Sequence, residues 1–156
     1  MDYQSSKKVL VALEREKVQY VVFGGAAINL LGLPRYTIDL DLFIAPDLEN
    51  IEQLKAALRS VFHDPNIDQI TAEDLLGEYP AVRYVPPEGE FSVDILTRLG
   101  SAFRFEDLET ERIPFDEIMI TVATPKTLYR MKKDTLRIKD RGDAELLRKR
   151  FNIEEE

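Results

Sequence analysis

The sequence predicts an α+β fold, a mixed β-sheet with helices packed mainly on one face and further helices at the C-terminus. Three observations lead there. Apolar residues recur at helical spacing in two segments, Val9, Leu10 and Leu13 in one and Ile51, Leu54, Leu58 and Phe62 in the other. Short runs rich in β-branched and aromatic residues alternate with them. Glycine and proline fall between these runs as breaks, and no linker or repeat interrupts them. At 156 residues and 44% hydrophobic content, the chain suits one domain over 1–156, with its helical part at about 125–151.

Each element has a local reason. Ser5 is placed to cap a first helix that runs to about Lys17. Tyr20-Val21-Val22-Phe23 reads as a buried strand running straight into Gly24-Gly25. A helix over 26–31 stops at Gly32, with Pro34 close behind. Residues 38–44 read as the next strand, ended by Pro46. Asp47 caps a helix over 48–62, and His63 beyond its end is assigned no chemistry. A short helix follows from about Thr71 to Gly77. Residues 81–85 and 90–97 form a hairpin around Pro86-Pro87-Glu88-Gly89. Residues 103–108 read as a short helix, and 113–115 and 118–122 as strands. Thr124 caps a helix with Pro125 at its first position that runs to about Thr135, and a last helix covers about 140–151.

Composition removes several function classes. With no cysteine and one histidine, thiolate metal sites, disulfides and cysteine nucleophiles are excluded. No apolar run nears the roughly 20 residues needed to span a bilayer, and residues 1–10 are polar, so a cytoplasmic protein without membrane contact is expected. The net charge of -8 is uneven: residues 1–125 hold 11 basic and 22 acidic side chains, residues 126–150 hold 10 basic and 4 acidic. The acidic body argues against nonspecific DNA binding, which needs many neutralised phosphates. The basic segment suits a phosphate-rich small ligand, a short stretch of RNA, or simple solvation of a charged helix.

The most informative stretch is Asp39-Leu40-Asp41-Leu42-Phe43-Ile44. A strand projects alternate side chains to one face, so Leu40, Leu42 and Ile44 share one face and Asp39, Asp41 and Phe43 the other. Aspartate is a poor strand former, like charges on one face repel, and burying unpaired charge costs several kcal/mol or more. Either solvent or a cation between the groups accommodates the pair, and oxygen ligands of this kind suit Mg²⁺ or Mn²⁺. In Phe91-Ser92-Val93-Asp94-Ile95-Leu96, Asp94 stands on the face away from Phe91, Val93 and Ile95. If the two strands are neighbours, three carboxylates converge on one sheet face, a set able to hold the metal ions of phosphoryl transfer. If not, Asp94 is an edge-strand charge that deters aggregation. Gly24-Gly25 lets backbone approach a ligand closely and offers N–H groups to phosphate, although the longer glycine patterns of dinucleotide folds and P-loops are absent. Tyr79, Tyr84 and Phe91 are expected to pack rather than to stack on a base.

Phe23-Gly24-Gly25, a spacer of 13 residues, Asp39-Leu40-Asp41 and the later Asp94 together resemble the pattern of the nucleotidyltransferase superfamily of DNA polymerase beta type. Gly24-Gly25-Ala26-Ala27, Gly32 and Arg35-Tyr36-Thr37, with Lys132, Arg137, Lys139-Asp140 and Asp143, are similar to the AbiEii-like branch, which includes toxins of type IV toxin-antitoxin systems. The resemblance covers about residues 20–147 and implies a nucleotidyltransferase-type fold. It also implies transfer of a nucleoside monophosphate from an NTP to a hydroxyl, with Mg²⁺ or Mn²⁺ as cofactor and pyrophosphate leaving. On this reading Asp39, Asp41 and Asp94 are the catalytic, metal-binding acids. Gly24, Gly25, Arg35, Thr37, Lys132, Arg137, Lys139 and Asp143 serve the nucleotide, Lys132 as a point charge on phosphate and Asp143 by orienting a lysine or meeting the nucleotide. A salt-bridge set is the competing reading of Lys139 and Asp143, and a surface loop charge that of Arg35. The implied partner is a nucleoside triphosphate; the acceptor, whether protein, RNA or small molecule, stays open. Two other readings also stay open: a non-catalytic nucleotide-binding module that regulates a partner, and a toxin-antitoxin component acting through partner binding.

Overall fold

The computed structural model describes residues 2–33, 37–78, 80–99, 103–132 and 138–154, with the side chains of 138–141 outside that description. Helix α1 (Tyr3–Arg15) leads into strand β1 (Tyr20–Phe23), helix α2 (Gly24–Leu30) and strand β2 (Asp39–Ile44). Helix α3 (Leu48–Phe62), a 3-10 turn at Pro65–Gln69 and helix α4 (Ala72–Leu76) precede strands β3 (Ala81–Tyr84) and β4 (Ser92–Leu96). Strands β5 (Arg98–Leu99) and β6 (Phe103–Arg104) form a small ribbon of their own. Strands β7 (Thr110–Phe115) and β8 (Ile118–Ala123) form a hairpin, followed by helices α5 (Pro125–Lys132) and α6 (Ile138–Phe151). The main sheet has the order β3-β4-β2-β1-β8-β7. Its β2–β4 and β1–β8 pairs are parallel and the rest antiparallel, which makes it the mixed sheet of an α+β fold.

Alternation on the central strands decides where the core sits. Leu40, Leu42 and Ile44 on β2 and Val93 and Ile95 on β4 are fully buried, whereas Asp39, Asp41 and Asp94 are only partly covered. Each buried aliphatic side chain contributes about 1.5–3 kcal/mol. Phe43 lies on the face of the aspartates yet is buried, meeting the edge of Phe23 at 6.0 Å between ring centres. Asn50 near the start of α3 fastens the far ends of β1 and β2: its Oδ1 accepts from the Gln19 N–H (2.7 Å), and its Nδ2 donates to the carbonyls of Gln19 and Ala45 (3.0 Å each). A buried amide so fully partnered holds strand ends without a desolvation penalty.

Several local expectations need correction. Asp2, not Ser5, caps α1, its carboxylate accepting from the Ser5 N–H at 3.0 Å, because a carboxylate three positions ahead also complements the helix dipole. Helix α2 starts at Gly24 rather than Ala26, because Gly24 takes φ +65° and turns the chain directly from strand to helix. Residues 103–108 are not a helix throughout: Phe103 and Arg104 pair as β6 before a 3-10 turn at Phe105–Asp107. Strand β7 begins three residues earlier than 113, through a polar Thr-Glu-Arg stretch on the sheet edge that carries no apolar signal. The last helix begins at Ile138 rather than 140, and the expected extension of α5 to Thr135 lies outside the described residues. Tyr84 and Phe91 pack on Phe62, with ring centres 5.6 and 6.3 Å away, and Tyr79 lies outside the described residues.

Candidate active site

The parallel register of β2 and β4 pairs Asp41 with Asp94 and Asp39 with Ser92. Register partners present their side chains to the same face, so the acids of two strands meet where β2 begins. β1 runs antiparallel on the other side, with Phe23 opposite Asp41, and Gly24 follows at once. A Cβ on Gly24 would stand 2.2 Å from Asp41 Oδ2 and 2.8 Å from its Cγ. The backbone at φ +65° and the carboxylate pressed against it therefore both demand glycine at this position. A Cβ on Gly25 would approach Thr37 to 3.2 Å, and the Thr37 hydroxyl accepts from the Asp39 N–H at 3.3 Å.

The carboxylates are held by named partners. Ser92 Oγ donates to Asp39 Oδ1 at 2.6 Å. Arg83 on β3, across from Asp94 in the hairpin register, donates through Nε to Asp94 Oδ1 (2.9 Å) and through Nη2 to Asp94 Oδ2 (3.3 Å). The same Nη2 reaches Asp39 Oδ2 at 3.4 Å. The hydrogen bond to Asp94, with the charges of Asp94, Asp39 and Asp41, raises the Arg83 pKa above its ordinary value and keeps the guanidinium charged. Arg83 is 61% exposed, and Asp39 and Asp94 are 29% and 27% exposed.

The structure thus gathers Asp39, Asp41 and Asp94 with Gly24, Gly25 and Thr37. It places Lys132 and Asp143 against each other, Nζ to Oδ2 at 2.9 Å between α5 and α6, with side chains 12% and 6% exposed. Arg35 and Arg137 lie outside the described residues, as does the side chain of Lys139. Among the described residues, no three imidazole or carboxylate groups close into a ready metal cage. The donor set still fits a hard cation: carboxylate oxygens from two strands share a positive group, and the absence of a side chain on Gly24 lets the Asp41 carboxylate lie against the strand-to-helix turn. Mg²⁺ is ordinarily held by one or two carboxylates completed by substrate phosphates rather than by an all-protein cage.

A family model described as "Nucleotidyl transferase AbiEii toxin, Type IV TA system" matches residues 8–147. The chain belongs to this family. A search of curated proteins finds no match to this AbiEii-family chain. Among solved structures it is similar to a "putative nucleotidyltransferase" from Thermotoga maritima, 17% identical over 96% of this chain and 91% of that one, with a TM-score of 0.49. Among the described residues, no helix of this AbiEii-family protein is long and apolar enough to cross a membrane.

Two residues at the site escape motif reading. Arg83 sits on a different strand from the acids, and only the hairpin register brings it to Asp94. Ser92 shares the alternation of Asp94, and its contact with Asp39 follows once β2 and β4 are known to be parallel. At the opposite end of β1, a cleft of about 570 Å³ is lined by Glu14, Tyr20, Phe105, Leu108, Arg112 and Thr121 among others. There Arg112 binds both oxygens of Glu14, at 3.1 and 2.8 Å, and the Tyr20 hydroxyl donates to Glu14 Oε2 at 2.7 Å. Burial and the hydrogen bond to Glu14 push the Tyr20 pKa well up, so it stays a neutral donor.

Proposed function

We propose that this AbiEii-family protein is a Mg²⁺- or Mn²⁺-dependent enzyme of the cytoplasm that moves a nucleoside monophosphate from an NTP to a hydroxyl on a protein, RNA or small molecule. One observation carries the reading: Asp41 and Asp94 are register partners on adjacent parallel strands, with Asp39 on the same face and the Asp41 carboxylate lying against the backbone of Gly24. Asp39, Asp41 and Asp94 are the groups that hold the cation. When bound, it neutralises phosphate charge and fixes the reacting phosphate against the acceptor. Gly24 and Gly25 offer the triphosphate backbone N–H groups with no side chain of their own in the way, and the Thr37 hydroxyl offers it a hydrogen bond. Lys132, steadied by Asp143, supplies a point charge to the phosphates, together with Arg35, Arg137 and Lys139. Asp94 accepts the proton of the acceptor hydroxyl as its oxygen bonds to the α-phosphorus. The bond from that phosphorus to the bridging oxygen breaks, and pyrophosphate leaves with the electron pair.

Incubation with each α-labelled NTP, Mg²⁺ or Mn²⁺ and cell extract tests this. Label on an acceptor and released pyrophosphate are expected from the wild type and not from Asp41→Asn. A cooperatively folded wild type that releases no pyrophosphate with any NTP rejects the reading. The family description names a toxin of a toxin-antitoxin system, which favours a protein or RNA partner as a second level of the same proposal. Growth arrest on expression that Asp41→Asn relieves points to transfer as the toxic act, and arrest that persists points to partner binding.

A further inference from the structure

We propose that Arg83 is a positioning residue that stands in for the cation, aligning Asp39 and Asp94 before metal and nucleotide arrive and releasing them when they bind. The inference rests on the reading of these acids as cation ligands. Its basis is that a single guanidinium is divided between carboxylates of two strands, Asp94 on β4 and Asp39 on β2. The oxygens it occupies, Asp94 Oδ1, Asp94 Oδ2 and Asp39 Oδ2, are carboxylate oxygens, the kind of ligand a hard divalent cation takes. A planar, always-charged fork suits this bridging, and it offsets the repulsion between neighbouring carboxylates.

Arg83 can leave without disturbing the core. β3 is the outermost strand of the main sheet, and the Arg83 side chain is 61% exposed. Asp39 stays oriented after the departure, because Ser92 holds its other oxygen at 2.6 Å. A free cation must therefore displace a charged competitor, whereas a cation arriving with a nucleotide brings phosphate oxygens that outweigh it. Arg83 thereby makes metal binding depend on nucleotide, which keeps the acids in place without an idle ion.

Manganese titrations followed by electron paramagnetic resonance, with and without an NTP, test this on folded wild type, Arg83→Ala and Arg83→Lys. Arg83→Ala should bind Mn²⁺ alone roughly thirtyfold more tightly, the factor expected from removing a unit charge about 4 Å from a divalent ion in a water-like medium, and its gain from nucleotide should shrink in proportion. Arg83→Lys keeps the charge but not the planar fork and should fall between the wild type and Arg83→Ala. If Arg83→Ala binds Mn²⁺ alone no more tightly than the wild type, Arg83 is only a structural link and the proposal falls. If no protein binds Mn²⁺ even with nucleotide present, the reading of the acids falls first and takes this proposal with it.

Discussion

The two ends of β1 carry clusters made from the same parts, and the difference lies in how many carboxylates one arginine serves. At the first end Arg112 grips a single carboxylate, Glu14, with both nitrogens, while Tyr20 and Thr121 complete the set. At the other end Arg83 is shared by Asp94 and Asp39, with Asp41 beside them in the register. One-to-one pairing satisfies the groups locally and ties β1, β7 and β8 to α1. Sharing leaves carboxylate oxygens clustered around a half-exposed, removable charge. The first arrangement is that of a strut, and the second is the one proposed to hold a cation.

The largest effect should come from Asp41→Asn, which keeps shape but removes one charge from the shared cluster. Pyrophosphate release should fall by about 100-fold or more, since positioning and charge stabilisation carry phosphoryl transfer. It should still unfold in one cooperative transition without metal, as thermal denaturation would show. Arg112→Ala in the other cluster should leave that rate unchanged, and a matching rate loss there would erase the contrast.

Gly24→Ala sharpens the comparison through the backbone. Left-handed φ alone costs alanine about 1–2 kcal/mol, and the new Cβ must also push the Asp41 carboxylate aside. Gly32→Ala is the control, since Gly32 also has positive φ, +92°, and among the described residues nothing beyond its chain neighbours lies within 4 Å of a Cβ there. Urea denaturation should show a similar backbone cost in both, whereas nucleotide-dependent Mn²⁺ binding should weaken only in Gly24→Ala.

Arg112→Ala should cost about 1 kcal/mol of stability, the scale of a partly exposed charge-assisted pair. The smallest effect is in pH. Burial raises the Glu14 carboxyl, but the hydrogen bonds from Arg112 and Tyr20 outweigh it and hold the pKa below its ordinary value. The corresponding stability is complete above the unfolded value of roughly 4.3 and is lost as pH falls through the lowered folded value. Denaturant midpoints measured down this acid range should fall less steeply for Arg112→Ala than for the wild type.

Much of the site was readable because alternation is a strict code. Leu40, Leu42 and Ile44 against Asp39 and Asp41 could be sorted to two faces from the order of residues alone, and the structure buries the first set completely. The mixed sheet followed from strands and helices alternating along the chain. What alternation does not carry is which strands are neighbours. The parallel register of Asp41 with Asp94 and the arrival of Arg83 depend on pairing between distant segments. Capping by Asp2 rather than Ser5 was ambiguous for a different reason, since both residues are good caps and the bond between them decides. The β5–β6 ribbon escaped notice because Arg98-Leu99 and Phe103-Arg104 are too short to show a period.

The most direct test of the account is calorimetry of Mn²⁺ binding to the wild type and Asp41→Asn, each with and without NTP. The wild type should bind the metal weakly alone and markedly more tightly with nucleotide, and Asp41→Asn should lose that gain while still unfolding cooperatively. An Asp41→Asn protein that keeps the full nucleotide-dependent affinity would contradict the assignment of these central-strand aspartates to the cation and nucleotide site.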